Sequence, residues 1–229
     1  RQMFIRDSPH VIHVSTSYVH GIAKGLRQEG VLDHSAQWRD EYAAALAAAE
    51  RVDAQSRTPE VLKKLIRSAE IASGKMGPKE IAKVAEANRR DWVRSRLQEY
   101  GLQRANSLGW TDIYTFTKAM AERVGEELWA GDARRLSFVR PAIIESAVRH
   151  PYPGWIDGFK VADPLIMAYA KGRLPEFPGL ADSILDIIPV DHIVGVILAL
   201  ATQNVDRRGN DAYYQVASGN SNPLPLHEM

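Results

Sequence analysis

The chain has 229 residues, 45% apolar and 25% charged, enough to bury one sizeable core and a small subdomain. With 29 basic and 28 acidic residues its net charge is +1, so no global field draws it to nucleic acid or to an anionic membrane. It contains no cysteine, which excludes disulfides, thiolate metal sites and chemistry through an acyl-cysteine intermediate. No apolar run approaches the roughly 20 residues that span a bilayer, and the N-terminus lacks signal-peptide order. The expected setting is cytoplasmic, with peripheral membrane contact left open. Because the chain opens at Arg1 and soon enters what reads as an internal strand, it is expected to be a fragment of something longer.

Pro9 to Thr16 mixes β-branched residues after a proline and runs into Ser15-Thr16-Ser17 and Gly21, a buried strand ending in a functional loop. From about Ser35 to Tyr100 the chain is rich in Ala, Glu, Lys and Arg. Breaks at Thr58-Pro59 and Gly77-Pro78 fit helix starts, so this stretch is expected to form three helices. Their apolar faces are expected at Tyr42, Leu46 and Ala49, at Val61, Leu65 and Ala69, and less cleanly at Ile81, Val84 and Asn88.

A further helix carries Tyr114 and Lys118, with Met120, Val124 and Leu128 spaced as a core-facing stripe. Leu136 to Arg140 reads as a strand stopped by Pro141, which cannot donate to a sheet ladder. Beyond a Pro/Gly-rich stretch, His150 to Trp155, come a helix from about Ala162 to Lys171 and a loop around Pro175 and Pro178. Ile184 to Val190 reads as a short strand feeding a helix, Asp191 to Thr202, and Ala212 to Ala217 as a late strand. Strands alternating with helices predict an α/β fold with a parallel sheet.

Tyr114 and Lys118 stand at i and i+4, on one side of their helix. A cation beside a phenol favours the phenolate and makes tyrosine a usable acid or base nearer neutrality. The spacing alone is weak evidence, since such pairs occur by chance on many helices. The context adds weight: a strand ending in Ser15-Thr16 lies upstream, and one ending in Arg140-Pro141 follows the helix directly.

Together His13 to Val19, Tyr114 to Glu122 and Val139 to Ile144 resemble the extended short-chain dehydrogenase/reductases. Pro151 to Asp157 and Asp186 to Asp191 resemble, more narrowly, the fatty acyl-CoA reductases, or male-sterility-type proteins. The resemblance covers both ends of the chain well and the helical middle hardly at all. It implies a Rossmann-like fold, with NADPH as cofactor and a long-chain acyl-CoA or acyl-carrier thioester as substrate, reduced to the aldehyde, with onward reduction to the alcohol left open. It also implies that Tyr114 protonates the developing alkoxide and that Lys118 assists it while bonding the nicotinamide ribose. Thr16, or Ser15 if the register shifts by one, would orient the carbonyl, and Pro141, Ala142, Ile143 and Ile144 would line the nicotinamide.

Two departures stand out. The glycine-rich turn that cradles a cofactor pyrophosphate has no counterpart, since Gly21 and Gly25 follow the wrong strand and lack the spacing. The cofactor-binding units are therefore expected upstream of Arg1. Thr16 and Tyr114 are also 98 positions apart, the difference between 114 and 16, far more than in simpler extended members. The expected organisation is residues 1–21 and 111–229 as the catalytic part of the reductase domain, with residues 22–110 as a helical insertion. That insertion would cover an acyl chain or dock a carrier, or else be a solvated excursion without function.

Other assignments stay open at this level. The same residues suit a ketone, sterol or nucleotide-sugar reductase or epimerase, and a cofactor-free scaffold binding lipid or protein belongs to a different class. His10, His13 and His20 lack a nearby acidic partner, so no metal site is expected. Trp110 and Trp155 read as packing residues, and Asp191 as the cap of the helix it begins.

Overall fold

Every residue of Leu136–Pro141 is buried, as in a strand covered on both faces. The computed structural model describes residues 10–23, 25–74, 77–129, 135–158, 163–175, 179–203 and 209–228. In chain order the elements are β1 (Val11–Val14), α1 (Trp38–Ser56), α2 (Pro59–Ser73), α3 (Pro78–Ser107), α4 (Ile113–Leu128), β2 (Leu136–Pro141), β3 (Ile143–Glu145), α5 (Asp163–Ala170), β4 (Ile184–Leu185), β5 (Ile187–Pro189), α6 (Val190–Thr202), β6 (Tyr213–Val216) and β7 (Leu224–Pro225). The expectations placed on Pro9, Ala162 and Pro178 lie outside the described residues. Two compact units result: Arg1–His20, Gly25–Leu32 and Glu122–Met229 form the first, and Gly21–Lys24 and Asp33–Ala121 the second. The division falls inside α4.

The first unit is Rossmann-like. Its main sheet has the order β1-β2-β6 and is parallel throughout, with His13 opposite Phe138 and Phe138 opposite Tyr213. Those three rings form a ladder on one face: His13 meets Phe138 edge-on at 5.7 Å, and Phe138 stacks on Tyr213 at 4.7 Å. Side chains alternate faces along a strand, so Leu136 and Arg140 share that face with Phe138. The C-terminal half of α4 covers it. Gly125 makes the close approach feasible, because a Cβ there would stand 3.2 Å from the Phe138 ring. Glu126 accepts a hydrogen bond from the Tyr213 hydroxyl. Glu122 receives Arg140 Nε at 2.9 Å and Nη2 at 2.6 Å, both side chains being fully buried. On the opposite face α6 packs against β1 and β2. A second small parallel pair, β3-β5, and an antiparallel pair, β4-β7, complete the unit.

The second unit is built from α1, α2 and α3, with α3 packed against both others. Prolines at the first positions of α2 and α3 begin those helices where the sequence placed them. Arg89 joins α3 to α1, donating to Asp53 and to the Ser56 hydroxyl at 2.8 Å each while held by Glu86 on its own helix. Arg104 makes a second cross-link, a two-pronged pair with Glu41.

Several expectations need correction. On α1 the residues expected to face the core, Tyr42 and Leu46, are 62% and 50% exposed, while Ala48 is buried. Small alanines let α3 come close, and the larger side chains are left outside. On α4, Met120 is buried but Leu128 is 54% exposed, and it is Trp129, one residue further, that packs against the cluster containing Leu136 and Phe138. The expected strand from Ile184 to Val190 is two strands. Asp186 interrupts it by turning its carboxylate to the N–H groups of Ser218 and Gly219 at 2.7 and 3.1 Å. Asp191 does not cap α6, whose N-cap is Pro189. It accepts the N–H groups of Val148 and Arg149 instead, at 3.1 and 2.9 Å.

The Glu122–Arg140 pair predicts a stability pattern. Glu122→Gln leaves a buried guanidinium under-compensated and should cost about 3–5 kcal/mol in urea unfolding. Replacing both partners together, Glu122→Leu with Arg140→Met, should restore most of that loss. A double variant as unstable as Glu122→Gln alone would show that an uncompensated buried charge is not what destabilises the single variant.

Candidate active site

Parallel strands direct their carboxyl ends to one edge of a sheet, where open α/β folds bind ligands. At that edge of the first unit the ladder continues one residue past β1, because Ser15 N–H donates to Val139 O at 2.7 Å. Ser15 and Thr16 therefore stand beside Arg140 and Pro141 at the end of β2. Both are buried, at 2% and 5% exposure. The Thr16 hydroxyl oxygen accepts the Tyr18 N–H at 3.3 Å, an arrangement that leaves its own proton available. The Ser15 hydroxyl is buried with no hydrogen-bond partner among the described residues. A buried hydroxyl without a partner is costly unless something else completes it.

From the end of β2, Ala142 N–H donates to Val216 O at 2.9 Å and Ile143 N–H to Asp186 O at 3.0 Å. These bonds carry the backbone from the main sheet into β3. Pro141 and Ala142 are buried, Ile143 is half-buried, and Ile144 is 38% exposed. The four thus grade from core to surface along one short segment.

Tyr114 and Lys118 belong to the second unit, in the part of α4 before Ala121. Asp112 starts that helix, its carboxylate accepting the Thr115 N–H at 2.8 Å in the manner of an N-cap. Burial, the largest single influence, pushes the Asp112 carboxyl up, but the Thr111, Tyr114 and Thr115 donors together hold it below the ordinary aspartate value. Just before the helix, Trp110 is buried between His34 and Phe116, with ring centroids at 5.2 and 5.3 Å. The packing role expected for it holds. One turn into α4, Lys118 Nζ lies 5.8 Å from the centre of the Tyr114 ring. Tyr114 is 57% exposed and so free to meet a ligand.

The structure thus brings Tyr114 together with Lys118 in one unit, and Ser15 and Thr16 together with Pro141 in the other. Among the described residues no cluster of histidine and acidic side chains could hold a metal ion. Sequence reasoning passed over Glu122 and Arg140. A signal existed, since an arginine inside a continuous buried strand requires a partner, and Glu122 follows Lys118 by one further helical turn.

Comparison with known proteins gives a consistent picture. A family model described as male sterility protein matches residues 4–197. The chain is similar to a probable fatty acyl-CoA reductase 4 of Arabidopsis thaliana, 29% identical over 222 residues, covering 96% of this chain and 39% of that protein. It is similar to the alcohol-forming fatty acyl-CoA reductase of Simmondsia chinensis, 30% identical over 219 residues, covering 95% and 39%. With fatty acyl-CoA reductase 2 of Homo sapiens it shares 34% identity over 123 residues, 52% of this chain and 23% of that one. The chain spans at most 39% of the length of these three relatives.

His20 sits close behind this edge. Burial first, then the positive charges of Arg140 and Arg27, hold its imidazole below the ordinary value of 6.5, against a smaller opposing pull from Glu122. The folded state therefore binds fewer protons here than the unfolded state in a window below pH 6.5. Stability from this group is complete above that value and declines as pH falls through the window. In thermal unfolding followed from pH 8 to pH 5, His20→Asn should show a flatter decline than the parent. Parallel curves would mean that His20 is not held neutral.

Proposed function

Because the chain belongs to the male sterility protein family, we propose that it supplies the catalytic groups for reducing a long-chain acyl thioester. The thioester is carried by coenzyme A or by an acyl carrier, and the product is the fatty aldehyde and, after a second reduction, the alcohol. The observation that carries this reading is the buried hydroxyl of Ser15, without a partner among the described residues, beside Thr16 at the carboxyl ends of parallel strands. Two hydroxyls at that edge suit a carbonyl oxygen that must gain negative charge.

The reading takes NADPH as hydride donor, which is the chemistry that cofactor supplies when bound. The residues present fit its nicotinamide end. Pro141 to Ile144 offer an apolar wall that ends in a surface-exposed isoleucine, and the family resemblance assigns the Lys118 ammonium to the ribose hydroxyls. Within these 229 residues no glycine-rich turn serves the pyrophosphate, so the fit is confined to that end.

Thr16 and Ser15 donate hydrogen bonds to the thioester oxygen and hold the carbonyl in place. Hydride addition to the carbonyl carbon breaks the C=O π bond and leaves an alkoxide on a tetrahedral carbon. Tyr114 gives its phenolic proton to that oxygen, and the Lys118 cation favours the phenolate left behind. The hemithioacetal so formed then collapses: its hydroxyl proton returns to the Tyr114 phenolate, the C=O bond re-forms as the C–S bond breaks, and the thiolate leaves and takes a proton from water, which yields the aldehyde. No step calls for a covalent enzyme intermediate, in keeping with a chain that has no cysteine. The same groups serve a second round on the aldehyde, where no leaving group departs and the product is the alcohol.

The test is made in the full-length protein with acyl-CoA as substrate. Tyr114→Phe should lower kcat by at least about a hundredfold, the scale of a lost general acid. Its melting temperature should not change, because an exposed hydroxyl is all that is removed. Near-normal turnover in that variant would overturn the assignment. Lys118→Met should lower kcat and also raise KM for the cofactor, since both roles are given to one ammonium. Ser15→Ala and Thr16→Val, assayed singly, separate the two hydroxyls by which of them costs more in kcat.

A further inference from the structure

The second unit contains a partly open cavity of about 270 Å³ lined by α1, α3 and the first turns of α4. Its walls are Ala45 and Ala49 of α1, Leu97 and Gly101 of α3, and Ile113 and Phe116 of α4. Three of the polar side chains at its margin, Thr117, Glu41 and Arg104, are already satisfied. The Thr117 hydroxyl donates back to the carbonyl oxygens of Ile113 and Tyr114 at 2.9 and 3.0 Å. Glu41 and Arg104 form a two-pronged pair and present no net charge to the interior. The space therefore selects an uncharged apolar ligand over an ion.

Three features narrow the occupant. First, the alanines of α1 and the glycine of α3 remove side-chain volume where two helices face each other. At Gly101 the missing side chain lets Ile113 of α4 close one end of the space, since a Cβ there would stand 3.0 Å from Ile113 Cδ1. Second, size: an apolar cavity of about 150 Å³ holds a benzene ring, so 270 Å³ takes on the order of ten carbons. That is a stretch of alkyl chain rather than a ring system such as a sterol. Third, position: Ile113, Phe116 and Thr117 line the cavity from the same two turns of α4 that carry Tyr114.

We propose that this cavity binds a segment of the saturated acyl chain, and so sets the chain length the enzyme prefers. The proposal rests on the reading of the substrate as a long-chain acyl thioester. Ala49 and Leu97 are then specificity-determining residues, and the helical unit is a chain-length gauge.

Two variants of the full-length protein test it, each by two readouts. Ala49→Phe fills the cavity, and Leu97→Ala enlarges it. Across a ladder of saturated acyl-CoAs, Ala49→Phe should move the preferred length down and Leu97→Ala should move it up. A change in opposite directions cannot come from misfolding. Without cofactor or turnover, displacement of dansyl-undecanoic acid reads the cavity directly. Ala49→Phe should weaken the probe about tenfold, the loss of roughly two buried methylenes. If both variants keep the parent's length profile and probe affinity while turnover persists, the cavity assignment is overturned and the reductase reading stands. If no acyl-CoA is turned over but the probe responds as expected, the cavity is an alkyl site and the reductase reading falls instead.

Discussion

The buried pair between Glu122 and Arg140 is the constraint around which the first unit is organised. Taking two charges out of water is expensive, and only tight, two-pronged geometry offsets it. That requirement fixes the C-terminal half of α4 over β2 in one register, with Gly125 against Phe138 and Glu126 at the Tyr213 hydroxyl. Arg140 also lies 4.4 Å above the Tyr213 ring, which ties β2 to β6 on the same face. A purely apolar contact would tolerate sliding by a methylene or so, whereas a fully buried ion pair does not.

The same pair gives chemical meaning to the neighbouring strand ends. Arg140 is the residue before Pro141, and the register of β1 on β2 sets Ser15 and Thr16 alongside them. Anything that loosened Arg140 would shift the backbone from which the segment Pro141 to Ile144 departs into β3. Stability of the core and placement of the hydroxyl edge are therefore one problem in this fold.

The second unit is held together in another way. Its cross-links, Arg89 with Asp53 and Ser56 and Arg104 with Glu41, are made by long side chains reaching between helices. Small residues fill the contact surfaces, so the interior is not packed solid, and a cavity remains between α1, α3 and α4. A domain selected only for stability gains by filling such a space. The proposed acyl site offers a reason to keep it.

Much of this was legible in the sequence. Prolines at positions 59 and 78 marked two helix starts because proline is tolerated at a helix's first position and not inside it. A run of β-branched residues marked β1, an apolar run stopped by Pro141 marked β2, and the spacing of Tyr114 and Lys118 was read correctly as one helix face. The apolar face of α1 was not legible, because in an alanine-rich helix the side that packs is chosen by the partner's shape and not by hydrophobic contrast. Nor was the division of Ile184 to Pro189 into two strands, which depends on Asp186 finding backbone donors more than thirty residues later. By itself the sequence determined the helices, the strands β1, β2 and β6, the family resemblance and the types of reactive side chain, all of which depend on local spacing and residue chemistry. Only the tertiary structure decided that Glu122 pairs with Arg140, that the Ser15 hydroxyl is buried without a partner among the described residues, and that an alkyl-sized cavity opens against Ile113, Phe116 and Thr117 of α4. Those facts depend on which distant groups meet, and a linear pattern does not encode distance in space.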